Sequence, residues 1–453
     1  MNRSRCSLWH ASAASRRKTP ATTGEFRGRF ALLSLTLLYG TATPAIAATL
    51  YWDLNGNTVG LGGSGRWDTT NTAWNSSFSG TGGTVSAWNN SALDSAFFDG
   101  PAGAATVIVA MPVTVNNISF GSEPSYTLGG STLNPITFAG SNPTIDVLGT
   151  QVISAVLAGS TGFTKTGDGT LVLAGNNTFS GPVTINAGTL SAGAEANDQA
   201  LGNNSQITLA NVAGATLDIA IGQQIIGSLA GGGALGGNVD LNASQLLVSG
   251  TNSTTYGGVI SGSGSFSKAG PSILTLTGHS TLTGTVNGVG GVLRAGTAHV
   301  FASAHFNSAT NNTFDLNNFD QTVTCISGSG NITLGAATLI SGSGGLNDSF
   351  NGILSGSGGL TKVGPGTLSL SGINPYTGPS PVNGGILQAG GAASGQAFGN
   401  LSVLTLANAA NTTLNLNNSN QTIGSLAGGS ADGGNVALGS ATLTTGGNNA
   451  NSV

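Results

Sequence analysis

Charge is scarce along this chain. Asp, Glu, Lys and Arg make up 6% of the 453 residues, against a usual share of about 25%. Seven of the twelve basic residues (Arg3, Arg5, Arg16, Arg17, Lys18, Arg27 and Arg29) precede residue 30. Beyond residue 47 only Arg66, Lys165, Lys268, Arg294 and Lys362 face a surplus of acids. No basic stripe remains to neutralise phosphates, so nucleic acid is not an expected partner. Cysteine is almost missing as well, with Cys6 near the N-terminus and Cys325 alone thereafter. An intrachain disulfide beyond residue 47 is excluded, and stability there has to come from stacking and hydrogen bonds. Cys325, in the apolar run "TVTCIS", reads as a buried small hydrophobe rather than a reactive thiol. Long apolar runs are missing too. None reaches the roughly 20 residues that a membrane-spanning helix needs.

Low charge usually accompanies disorder, but 39% of the residues are apolar, enough to bury a core. What is abundant is glycine, 75 residues against a typical share of about 7%. Each glycine costs a helix about 1 kcal/mol relative to Ala. Thr, Val, Ile and Leu in short alternating runs suit strands instead. The composition therefore predicts an all-β protein with many tight turns.

The N-terminus reads as an export signal. Arg27 and Arg29 precede the apolar core "FALLSLTLLYG", and "AIA" at Ala45–Ala47 supplies small residues for a signal peptidase. Cleavage is expected between Ala47 and Ala48, giving a leader over 1–47.

Three blocks align without gaps on Lys165, Lys268 and Lys362. Glycine recurs in phase after each lysine: Gly167, Gly175, Gly181 and Gly188; Gly270, Gly278, Gly284 and Gly291; Gly364, Gly372, Gly378 and Gly385. The first and third blocks also share Gly169 with Gly366, Leu171 with Leu368, and aromatic Phe179 with Tyr376. The second block drifts, with Ser272, Leu282 and Gly288 at positions where the others carry Gly, an aromatic and a β-branched residue. It is expected to pack less tightly. A second motif alternates with the first, its register marked by Gln224, Gln321 and Gln421.

Within a block, "GTLSLSG" places Leu368 and Leu370 on one face and Thr367, Ser369 and Ser371 on the other, a half-buried strand of period two. Short strands, corner glycines and stacked copies predict an elongated right-handed parallel β-helix, a solenoid with a continuous aliphatic interior. A hairpin-based β-sandwich is the alternative. Residues 48–104 hold Trp52, Trp67, Trp74 and Trp88 and are expected to form an aromatic-rich N-terminal cap over the open first rung, with a carbohydrate-binding platform as the competing reading. Residues 105–453 are then the repeat array.

The blocks at Lys165 and Lys362 closely resemble the autotransporter-associated β-strand repeat, also termed a passenger-associated transport repeat, and the block at Lys268 resembles it with the departures noted. The resemblance implies a secreted β-helical passenger, shown on or released from a Gram-negative cell. In that family the repeat is thought to help the passenger fold as it emerges. It also implies an outer-membrane translocator barrel, which this sequence does not encode. By register, Val453 falls just before a further block, so the chain reads as cut short.

The expected function is structural or adhesive and non-catalytic, at the cell surface or outer membrane or outside the cell, with a surface glycan or a host or matrix component as ligand. The alternative is a β-helical lyase or hydrolase acting on polysaccharide, which would need clustered acids. The acids here are dispersed, and His299 and His305 read as a surface pair. No catalytic, cofactor or metal site is expected. "TGDGT" around Asp168 and "GGNVD" around Asp240 resemble calcium turns only faintly.

Overall fold

The computed structural model describes residues 47–193, 198–301, 304–391 and 395–447; the basic and apolar parts of the leader lie outside them. Every regular element among the described residues is a β-strand, none longer than six residues. The described residues form one unit, a parallel β-solenoid of about sixteen turns. Successive rungs pair in parallel and in register: Ile145 opposes Ile118 below and Lys165 above. A rung spans 20 residues where Thr166 meets Asp146, and 27 where Ser191 meets Asp218. The antiparallel sandwich is thereby set aside.

Three faces enclose the interior. The first is a 16-stranded sheet that runs up to the strand Ile353–Gly356. The second is a nine-stranded sheet ending at Ile260–Ser261, followed by a six-stranded sheet that begins at Gln321–Val323. The third is a three-stranded sheet ending at Leu157–Ala158, followed by an 11-stranded sheet that begins at Gln223–Ile226. Alternation explains the core. In Thr170–Leu173 the pattern places Leu171 and Leu173 inside, and the same two positions are filled by Leu190 and Ala192 one rung on, then by Leu217 and Ile219. Stacked in register, these side chains merge into one apolar column along the unit.

Antiparallel pairing occurs at the start. Thr49–Trp52 pairs in parallel with Ser95–Phe98, but its other edge takes Thr72–Asn75 antiparallel, with Trp52 opposite Trp74, and Val85–Ala87 follows. Trp74 lies 5.2 Å from Trp52, 5.1 Å from Trp67 and 4.7 Å from Trp88 between ring centroids, with Phe98 joining the cluster. All four indoles are buried, the most accessible 2% exposed. No indole face is left for a sugar, which removes the carbohydrate platform.

Candidate functional site

Each repeat block builds the same corner. Gly167, Gly270 and Gly364, two residues after the lysines, have φ of +72°, +67° and +71°, a region that costs residues with a Cβ. Gly175, Gly278 and Gly372 serve differently. A Cβ there would press into a backbone carbonyl of the preceding rung, Ala155, Gly258 or Gly352 respectively. Gly181, Gly284 and Gly378 meet the rung below in the same way, as do Gly169 and Gly366. Ser272, in place of that last glycine, turns its hydroxyl to the Gly250 carbonyl at 2.8 Å.

The lysines close these corners. All three are essentially fully buried. The Lys165 ammonium donates to the carbonyls of Thr166 (2.8 Å), Gly167 (2.7 Å) and Ala187 (3.1 Å). Lys362 repeats this with Val363 (2.7 Å), Gly364 (2.9 Å) and Gly384 (3.1 Å). Lys268 donates to Ala269 and, at 3.1 Å, to Gly270. Burial pushes each amine down from 10.5 to about 8, partly opposed by Asp146 and Asp168 at Lys165 and by Asp348 at Lys362. An amine that spends its protons on the carbonyls of its own corner holds the turn; it has no free face for chemistry.

Beyond the lysine corner each block interrupts one sheet. At Asn177 the third face loses its regular strands for two rungs and regains them at Gln224; the links are Thr178 to Leu157, Asn177 to Gln199 and Ile225 to Asp198. In the second block the same break, from Ser280 to Gln321, lies on the second face, and in the third block, from Asn374 to Gln421, on the first. The lysines step likewise: Lys165, Lys268 and Lys362 occupy three different sheets. The repeat length is not a whole number of rungs, so each copy is turned by one face.

A buried amide relay spans the first and third breaks. The Leu157 N–H donates to Asn177 Oδ1 (2.7 Å), Asn177 Nδ2 donates to the Ala200 carbonyl (2.7 Å), and the Ala200 N–H donates to Gln224 Oε1 (3.1 Å). The third block reproduces it through Leu354, Asn374, Ala397 and Gln421, at 2.8 Å for each link. Phe179 and Tyr376, two residues after the asparagines, are buried at these breaks. In the second block Ser280 is too short to make the first two links, although the Val300 N–H still donates to Gln321 Oε1 at 2.9 Å. With one carbonyl fewer on its lysine and no asparagine, that block is more weakly bonded.

Outside, the solenoid presents columns of like side chains. Thr144, Thr164, Thr184 and Thr208 stack in register on the first face. Thr150, Thr170, Thr189 and Thr216 do so on the second. All eight are at least partly exposed. A shallow groove lined by Asn142, Pro143, Thr161, Thr164, Pro182 and Thr184 runs along the first column. The third face carries a hydrogen-bonded column of Gln245, Ser267, Asn287, Asn307 and Ser327. Among the described residues Arg294–Asp315, at 2.8 Å, is the sole ion pair.

His299 and His305 do not work as a pair. Nδ1 of His299 lies 3.2 Å from Thr322 Oγ1 on the second face, whereas His305 Nε2 lies 2.8 Å from Ser327 Oγ on the third. Cys325 is buried as expected, but His305 and Asp348 flank it, a juxtaposition that the sequence reading missed. Burial, aided by Asp348, pushes the thiol up to about 11, the opposite of what a nucleophilic cysteine requires. Ala47 and Ala48 are exposed, and the Ala48 N–H donates to Asp94 Oδ1 at 2.8 Å.

The sequence model of the passenger-associated-transport-repeat family matches residues 163–192, 266–295 and 360–389, the three blocks whose corners are described above. The adhesin BmaC autotransporter of Brucella suis biovar 1 (strain 1330) is 41% identical over 239 residues. That alignment takes in 51% of this chain and 7% of the relative, so the chain spans a small part of the protein that it matches. No solved structure matches the chain. Three matches to the family model fall on the three equivalent lysine corners, so the chain carries three passenger-associated transport repeats.

Proposed function

We propose that this chain is the solenoid part of an exported, autotransporter-type passenger that acts by adhesion and carries out no catalysis. The observation that carries the reading is the pair of threonine columns, each four rungs deep. Hydroxyls repeated at the strand spacing of about 4.8 Å offer many weak, equivalent contacts, and multivalent engagement multiplies such contacts into useful avidity. The adhesin named above, related over half of this chain, supports the same reading. The ligand class that fits is a hydroxyl-rich surface glycan or a matrix component of a host. Residues 1–47 act as the leader, residues 48–104 close the N-terminal end, residues 105–453 form the repeat array, and an outer-membrane translocator delivers the passenger to the cell surface.

The test uses the purified chain on beads against a panel of surface glycans and extracellular-matrix proteins. Substituting Thr164, Thr184 and Thr208 together by Val keeps β-propensity and shape while deleting the hydroxyls. Binding that falls at least tenfold with an unchanged circular dichroism spectrum supports adhesion through the column. Binding unaffected in this variant and in the matching variant of the second column, or steady polysaccharide turnover by the wild-type chain, overturns the proposal.

A further inference from the structure

The geometry points to a metal site for a thiophilic divalent cation, zinc by preference, formed by His305, Cys325 and Asp348 on three successive rungs of the third face. His305 and Cys325 are direct cross-strand partners in parallel strands. Their neighbours Phe306 and Ile326, also partners, take the core side, so the imidazole and the thiol share the other side of the sheet. Asp348 opens the next strand, which joins Cys325–Gly328 through Gly328 and Phe350. One ligand atom from each of the three side chains lies within 4.8 Å of the other two.

Zinc bonds of about 2.0–2.3 Å in a tetrahedron separate ligand atoms by about 3.3–3.8 Å. Side-chain rotations of about an ångström would therefore close the site without moving the strands. The donor set is selective. Imidazole nitrogen with thiolate sulfur suits zinc or its cobalt surrogate, whereas calcium and magnesium demand oxygen. Charge fits as well: a thiolate and a carboxylate balance a divalent cation. Binding releases the thiol proton to solvent. Cys325 is fully buried, while His305 and Asp348 are partly exposed, which leaves an approach from solvent. The Lys362 ammonium is held by three backbone carbonyls and forms no ion pair with Asp348. Such a site would staple three rungs together where Cys325 is the one cysteine among the described residues.

The experiment titrates Co²⁺ and Zn²⁺ into the reduced, tag-free full chain carrying Cys6→Ser, which removes the other thiol. A thiolate-to-cobalt charge-transfer band saturating at one equivalent, displaced by zinc, is the expected result. Cys325→Ser abolishes the band, and His305→Gln and Asp348→Asn each weaken binding tenfold or more. The latter two replace partly exposed groups, so they test the site even if the Cys325 variant folds poorly. Zinc raises the melting temperature of the parent chain and leaves that of Asp348→Asn unchanged. Absence of a thiolate band at micromolar metal, or a band of equal affinity in both His305→Gln and Asp348→Asn, overturns the assignment.

Discussion

Replacing Asn374 by Ala removes the middle of a buried relay. The side chain accepts from the Leu354 N–H at 2.8 Å and donates to the Ala397 carbonyl at 2.8 Å, and Asn374 is completely buried. Truncation leaves one donor and one acceptor without their partner. Each orphaned buried group costs about 1–3 kcal/mol, so the break on the first face should lose about 2–6 kcal/mol of local stability. Solenoids open locally as well as globally, so the effect is read most directly at the break itself. Native-state hydrogen exchange at the Leu354 amide is that readout. A loss of that size accelerates exchange there by roughly 30-fold or more, while amides around Leu171, many rungs away, keep their rates. Asn177→Ala should do the same at Leu157. Ser280→Ala, where the relay is already missing, should change exchange by less than about threefold. Equal protection at Leu354 in parent and variant, or an equally large effect from Ser280→Ala, would refute the account of these breaks as amide-bridged joints.

Three further outcomes follow from the corners and the N-terminal end. The buried lysines titrate near 8 in the folded chain against 10.5 in the unfolded one; between those values the unfolded chain holds more protons, so stability rises with pH from about 8. Cys325, pushed from 9.0 to about 11, opposes this above pH 9; urea midpoints should therefore climb from pH 8 to 9 and flatten when the three lysines become Met, and a flat parent profile would contradict the burial argument. Gly372→Ala drives a methyl into the Gly352 carbonyl and should destabilise by about 3 kcal/mol or more, whereas Gly391→Ala, which meets open space, should stay within about 0.5 kcal/mol; denaturant titration distinguishes them. Processing after Ala47 would turn the Ala48 N–H into an α-ammonium beside Asp94; mass spectrometry should find Ala48 as the first residue, and Asp94→Asn should lower the stability of the processed chain by about 1 kcal/mol.

The strands and their inward sides were legible because a period of two needs only local pattern: Leu171, Leu368 and Leu370 are buried where alternation places them. The lysine phase was legible because the corner recurs in identical order. Its purpose was not, since the three carbonyls that Lys165 holds include one a full rung away at Ala187. Gln224, Gln321 and Gln421 marked a register in the sequence without disclosing that each closes an interrupted sheet. The neighbourhood of Cys325 was hidden for the same reason. His305 lies 20 residues before it in the chain and directly beneath it in space, and such partners are visible only once the local rung length is known. The rotation of successive blocks was invisible because it depends on how many strands fit into one repeat.

That rotation has a mechanical consequence. Interrupted stretches in stacked sheets are the weak seams of the assembly, and seams aligned along one side would let a crack run lengthwise. Here each seam sits a third of a revolution from the last, as masons offset the joints of adjoining courses. A tensile or bending load that opens one seam meets unbroken sheet on the two flanking sides.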